Sequence, residues 1–390
     1  MTASSSYQVF LLGAINPRAE TIRKSIERSL SELGLDRRAV TFIEQDIAEN
    51  WDRRLPAIAL FFGGTPIAAD PILDQIVADS VVIVPIVSSL TLAEQELPPQ
   101  LRHVNALEYG DDDSGLYRLV SLVLETFRLL RVERRLFISY RREDAQPFAE
   151  RLYDALDSRG FDVFIDVRSV PPAVDFQSVL WHRMSDSDVV VLVDTPGFRA
   201  SRWTTAELAQ ANATNIQILH LLWPGQTEDA SSAFSHFMKL EPADFEGDTI
   251  AKGEGATTDV LTRICSEVER LRARAIAARH RYLVDNFCDA ARDLGMDPSV
   301  QPERWIAVTR ANGRTLAVVP AVGVPTSDRL NTIFDSIADK KSNMRDLWVI
   351  YDNRGLLVTW LAHLDWLNTH LPVRAVRMSE APDMLRGLSV

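Results

Sequence analysis

The 390-residue sequence predicts an α/β protein of more than one domain: a parallel-sheet domain in the middle, a second domain of the same layout before it, and a small α+β domain after it. Three observations predict this. Near-continuous apolar runs alternate with helical stripes through the first two thirds of the chain, as expected of parallel strands covered on both faces. The chain is too long for one ordinary hydrophobic core. Finally, one local pattern occurs twice. ILDQIVADSVVIVPIVSS and VLWHRMSDSDVVVLVDTP each read as a helix, an Asp-Ser pair near its end, a valine-rich strand and a Ser or Thr turn. We read this as a divergent tandem repeat.

The bounds expected are residues 1–131 for the first α/β domain and 132–250 for the second, then 251–300 for a linker and helical segment and 301–390 for the α+β domain. In the first, VFLLGA is a buried strand, and Asn16-Pro17 reads as an N-cap followed by a first-turn proline. Ile22, Ile26, Leu30 and Leu33 form an apolar stripe that Gly34 terminates. VTFIE, IALFF, VVIVPIV and VNALEY are further strands, and LYRLVSLVLETFRLL is the last helix. In the second, LFISY, DVFID, VVVLV and ILHLLWP are the strands, with PFAERLYDALDSRG a helix stopped by Gly160.

EPADFEGDTIAKGEGATTD is rich in Gly, Thr and acids and reads as a loop. The helical segment after it carries Arg270, Arg272, Arg274, Arg279 and Arg281 among acids, which predicts a solvated face or packing between domains. In the last block WIAVTR and TLAVVPAVGV form a hairpin about Asn312-Gly313, and LWVIYD and VRAVRM are strands around two helices. Asp352, His363 and Asp365 read there as capping and solvated polar side chains and not as a metal site, since His363 and Asp365, two apart on a helix, face different ways.

Composition narrows the classes of function. With 46% hydrophobic and 25% charged residues the chain is ordinary globular material. A net charge of -12 opposes bulk binding to nucleic acid or anionic membrane. Cys265 and Cys288 fall in helical sequence without metal spacing, which predicts core thiols in a reducing compartment. MTASSSYQVF has no basic region followed by a long apolar run, and no segment reaches transmembrane length. A soluble cytoplasmic protein is expected.

One stretch invites a chemical reading. SRWTTAELAQA places Trp203 and Glu207 four residues apart, on one face of a helix that Ser201 would cap. Alone, such a glutamate is a solvated charge suited to the helix dipole. The surrounding motifs change that reading. FISYRRED, FDVFIDVRSVPPAVDF, SDSDVVVLVDTPGFRASRW, the W-x-x-x-E of WTTAE, and LHLLWPG stand in one order from Leu136 to about Gly225. In that order they resemble the TIR (Toll/interleukin-1 receptor) domain family, in particular its bacterial NAD-cleaving members. One departure is Ala173, where the family's BB loop has a glycine.

The resemblance implies a TIR-type, flavodoxin-like parallel sheet, with LHLLWPG as its last strand. It implies that Glu207 is the catalytic glutamate and that Tyr140, Arg141 and Trp203 bind the substrate, NAD. It implies no cofactor and no metal. It also implies self-association through the BB loop, where Val170, Pro171, Pro172, Asp175 and Phe176 would meet a neighbouring domain. Asp166 reads as a loop cap. Two functions stay open: an NAD glycohydrolase gated by assembly, of the kind used in anti-phage defence, and a non-catalytic adaptor acting through TIR–TIR contact. Hydrolysis and cyclisation of the ADP-ribose also stay open. The first block lacks a tryptophan four residues before Glu94 or Glu96, so it is expected to be a degenerate, non-catalytic relative. The last block is expected to sense a trigger or to oligomerise.

Overall fold

The computed structural model describes residues 6–44, 46–68, 70–110, 114–165, 176–198, 214–228, 235–247, 250, 252–301, 304–309, 315–338 and 346–389. The chain divides into two compact units: Met1–Val132 with Thr262–Arg274, and Glu133–Leu261 with Ala275–Val390.

The first unit holds a parallel sheet of β1 (Tyr7–Gly13), β2 (Val40–Ile43), β3 (Ala57–Phe62), β4 (Val82–Val87) and β5 (Leu107–Glu108), in the order β2-β1-β3-β4-β5. β1 lies between β2 and β3, and Val9, Phe10, Leu11 and Leu12 are buried on both of its faces, so this run is apolar throughout. The helix Arg18–Glu32 buries Ile22, Ile26 and Leu30 as the stripe requires, and Gly34 stands beyond its end at φ 75°. At its start Pro17 occupies the cap position without a side-chain bond, and Asn16 Oδ1 accepts from Arg18 N at 3.0 Å. The expected cap chemistry is present one residue earlier than the helix boundary. β5 is only two residues long, much shorter than VNALEY suggests.

Two arginines of the long helix Thr258–Asp293 depart from the solvated face on which Arg274 and Arg281 stand exposed as expected. Arg272 is fully buried in the first unit, pairing with Glu125 Oε1 at 2.6 Å and donating to the carbonyl of Arg131. Arg279 is buried in the second unit, donating to the carbonyls of Ser187 and Ser185. Both guanidiniums satisfy helix and loop ends that carbon could not. Neither Cys265 nor Cys288 forms a disulfide, and both are buried, as expected.

The second unit contains two sheets. β6 (Arg135–Tyr140), β7 (Asp162–Ile165), β8 (Val189–Asp194), β9 (Gln217–Leu222) and β10 (His236–Lys239) lie in the order β10-β9-β8-β6-β7, all parallel. Taken in chain order, this is the strand order of the first sheet. β10 corrects the expectation that LHLLWPG is the last strand. It is a half-exposed edge strand whose HFMK carries no apolar run. Phe137, Val190, Leu192, Ile218, Met184 and Phe198 form one side of the core.

The other sheet runs β11 (Pro298–Val300), β12 (Ile306–Thr309), β13 (Thr315–Ala321), β14 (Asp346–Tyr351) and β15 (Val373–Arg377), in that order. β12 and β13 pair antiparallel, from Ile306 opposite Val318 to Thr309 opposite Thr315, as the hairpin reading expects. β13, β14 and β15 are parallel, joined through the helices Ser327–Ala338 and Val358–Asn368. Leu283, Phe287 and Ala291 of the long helix cover one face with Leu385, while Leu330, Leu364 and Leu367 cover the other. Asp352 bonds Arg354, Asp365 pairs with Arg377, and His363 stacks between Trp360 and Trp366. Among the described residues, no helix is long and apolar enough to cross a membrane.

Candidate functional site

In a parallel sheet of this order, the connections after the first and third strands leave toward opposite faces, and a crevice opens beyond the carboxyl ends of those strands. Here they are β6 and β8. Tyr140 ends β6 beside Val193 of β8, and Asp194 ends β8 beside Leu222 of β9. Tyr140 is buried, at 4% exposure.

Arg141 follows in extended conformation, at φ -88° and ψ 119°. The helix Arg142–Asp157 after it is interrupted at Ala145, whose φ is -144°. Pro147 has no N–H to continue the ladder, so its body starts where PFAERLYDALD predicts and residues 142–144 form a separate turn. That turn carries two carboxylates back to the arginine. Arg141 Nη2 meets Glu143 Oε2 at 2.5 Å, and Nη1 lies 3.4 Å from Asp144.

The end of β8 completes the arrangement. Thr195, 1% exposed, donates its hydroxyl to Asp144 Oδ2 at 2.8 Å. Two residues on, Gly197 lies against the same guanidinium: a Cβ there would stand 1.9 Å from Arg141 Nη1 and 2.5 Å from Asp144 Oδ2. Glycine is therefore the residue that lets the cation rest on the backbone. On the other face of the sheet, Asp194 Oδ2 pairs with His220 Nε2 at 3.0 Å, both buried, and Phe237 stacks on the imidazole with ring centroids 5.1 Å apart. The Asp194 carbonyl accepts from Trp223 N at 3.1 Å. Trp223 packs edge-on against Phe148 at 5.3 Å, with Gly253 at φ 69° closing over both rings.

Chemically, this is an anion-ready site. Arg141 offers a planar fork, one-third exposed, just beyond the carboxyl end of β6. Its present partner Glu143 is 76% exposed, and such surface pairs hold weakly.

Of the residues singled out from sequence, Tyr140 and Arg141 stand together at the end of β6. Glu207, Trp203, Val170, Pro171, Pro172 and Asp175 lie outside the described residues, as does Asp166. Phe176 opens the helix Phe176–Asp186. Sequence reasoning missed Asp144, Thr195 and Gly197 as site residues. The signal was present, since FISYRRED and VDTPGF are the segments that follow the two strands flanking the crevice.

The helix Phe176–Asp186 is held at its far end by the C-terminal part of the same unit. Ser185 Oγ donates to the Arg354 carbonyl at 3.0 Å, Val324 N donates to Asp186 Oδ1 at 2.9 Å, and Leu357 N approaches His182 Nδ1 at 3.4 Å. Burial, then Arg183 and Arg135, push the His182 pKa down to about 4, so the ring is neutral and accepts.

The family model described as TIR domain matches residues 136–258. No curated protein matches the chain. Among solved structures, a metazoan TIR-STING receptor from C. gigas is 13% identical with a TM-score of 0.25, over 65% of this chain and 96% of that one. A periplasmic ribose ABC transporter from Conexibacter woesei DSM 14684 is 13% identical with a TM-score of 0.21, over 70% and 98%.

Proposed function

Residues 136–258 of this chain are a TIR domain, and from that premise we propose that it cleaves NAD, releasing nicotinamide and leaving ADP-ribose or its cyclised form. The observation that carries the reading is Arg141 just beyond the end of β6, at the switch point of the sheet, with the W-x-x-x-E of Trp203 and Glu207 following β8 in the sequence.

The chemistry needs little more. The bond between the ribose C1 and the pyridinium nitrogen breaks, its electron pair stays on the nitrogen, and nicotinamide departs neutral without a general acid. The ribose is left as an oxocarbenium ion, as in glycoside hydrolysis. The ionised carboxylate of Glu207 stabilises that charge, and an apolar surround strengthens its field. Water then adds to C1 and gives up a proton, or the adenine adds instead. Arg141 meets the pyrophosphate and Trp203 supplies stacking surface. Self-association through Val170–Phe176 gates the activity, and a cytoplasmic role in anti-phage defence fits such an enzyme.

Nicotinamide release from NAD, measured for the unaltered chain and Glu207→Gln over a protein concentration series, tests this. Release that depends on Glu207 and steepens with concentration supports the reading. A folded chain that releases nothing at any concentration overturns it in favour of a TIR adaptor.

A further inference from the structure

We infer that Thr195, Asp144 and Gly197 are positioning residues that set the Arg141 guanidinium for the substrate phosphate, Thr195 acting through Asp144. The inference rests on the NAD-cleaving reading above and adds what prepares its cation.

An arginine beside two carboxylates would ordinarily be a neutralised arginine. The two acids differ, however, in how firmly they are held. Glu143 is 76% exposed and bonds the guanidinium at the solvent side, so its side chain gives way at little cost when a phosphate arrives. Asp144 is 23% exposed and receives the Thr195 hydroxyl at 2.8 Å. Thr195 is itself buried at the end of β8, a strand paired on both sides. Asp144 is thus fixed to the sheet and holds Nη1 from behind, while Nη2 keeps an exchangeable partner. Gly197 supplies the floor, because any Cβ would occupy the place of Nη1. The fork is pre-oriented before the substrate binds, which lowers the ordering cost of a bidentate phosphate contact. A phosphate and Glu143 compete for the same nitrogen, so the exchange is charge-for-charge and leaves Asp144 in place.

The test compares Thr195→Val, Thr195→Ser, Arg141→Ala and the double variant Thr195→Val/Arg141→Ala in the full chain, with NAD turnover and NAD binding by calorimetry. Thr195→Val keeps the shape and removes the donor. It should raise KM for NAD about tenfold with kcat within about twofold, because uniform binding is lost. Thr195→Ser should restore the unaltered KM. On the Arg141→Ala background Thr195→Val should add nothing, since a residue acting through another has no separate effect. A fall in kcat without a change in KM, failure of serine to rescue, or additive losses in the double variant would overturn the inference while leaving NAD cleavage standing. An unaltered chain that neither binds nor cleaves NAD would remove both.

Discussion

Asp186 accepts a hydrogen bond from the backbone N–H of Val324 at 2.9 Å, joining residues 138 apart in sequence inside the second unit. The same carboxylate pairs with Arg135 at the start of β6. It therefore ties the end of one helix to the segment after β13 and to the first strand of the other sheet. Asp186→Ala removes an acceptor from a buried N–H and a counter-charge from Arg135, and should lower stability by about 2–4 kcal/mol. Asp186→Asn keeps an oxygen for Val324 and should lose about half of that. Urea unfolding of the full chain distinguishes them, and equal stability of all three proteins would show that the contact contributes nothing.

His182 makes stability depend on pH over a defined window. Its folded pKa is about 4, depressed first by burial, against 6.5 for the ordinary imidazole. Between those values the unfolded chain binds a proton that the folded chain refuses, so stability falls as pH drops from 6.5 toward 4 and levels off below. Protonation would also turn the Nδ1 acceptor for Leu357 N into a donor. Replacing His182 by Gln should lessen the pH dependence of the urea midpoint across that window, the remainder coming from His280, which burial also depresses. A slope identical to that of the unaltered chain would assign it to other groups.

Arg272 offers a sharper test in the first unit. Its guanidinium is fully buried and reaches both Glu125 and the Arg131 carbonyl. Arg272→Ala removes the hydrogen-bonded counter-charge of the Glu125 carboxylate, 10% exposed, and should cost about 3 kcal/mol. Arg272→Met with Glu125→Leu should recover part of that, because the apolar pair needs no counter-charge of its own while the neighbouring Arg118 loses the charge of Glu125. Amide exchange of the helix Ser114–Thr126 reads the loss locally, and unchanged protection in Arg272→Ala would refute the assignment.

Much of the local structure was legible. Continuous runs such as VFLLGA and VVVLV marked strands covered on both faces, and Gly34 and Gly160 marked helix ends because only the left-handed backbone there favours glycine. Pro147 marked the start of a helix body. β10 and β11 were not legible, being short strands with exposed positions whose residues carry no periodic signal. The buried states of Arg272 and Arg279 were hidden for a different reason: charged residues on a helix look alike until the partner that desolvates them is known.

The site divides along the same line. Local sequence sufficed for most strands and helices, for the order of the motifs and for Tyr140 and Arg141 at the end of a strand, because apolar periodicity and turn chemistry act within a few residues. The placing of β6 between β7 and β8, and with it the bond of Thr195 to Asp144 from 51 residues away, came with the assembled sheet. The pairing of Arg272 with Glu125 across 147 residues likewise came with tertiary assembly. Strand order and side-chain partnership arise when separate apolar faces are buried together, and no short stretch of sequence records which distant segment arrives opposite it.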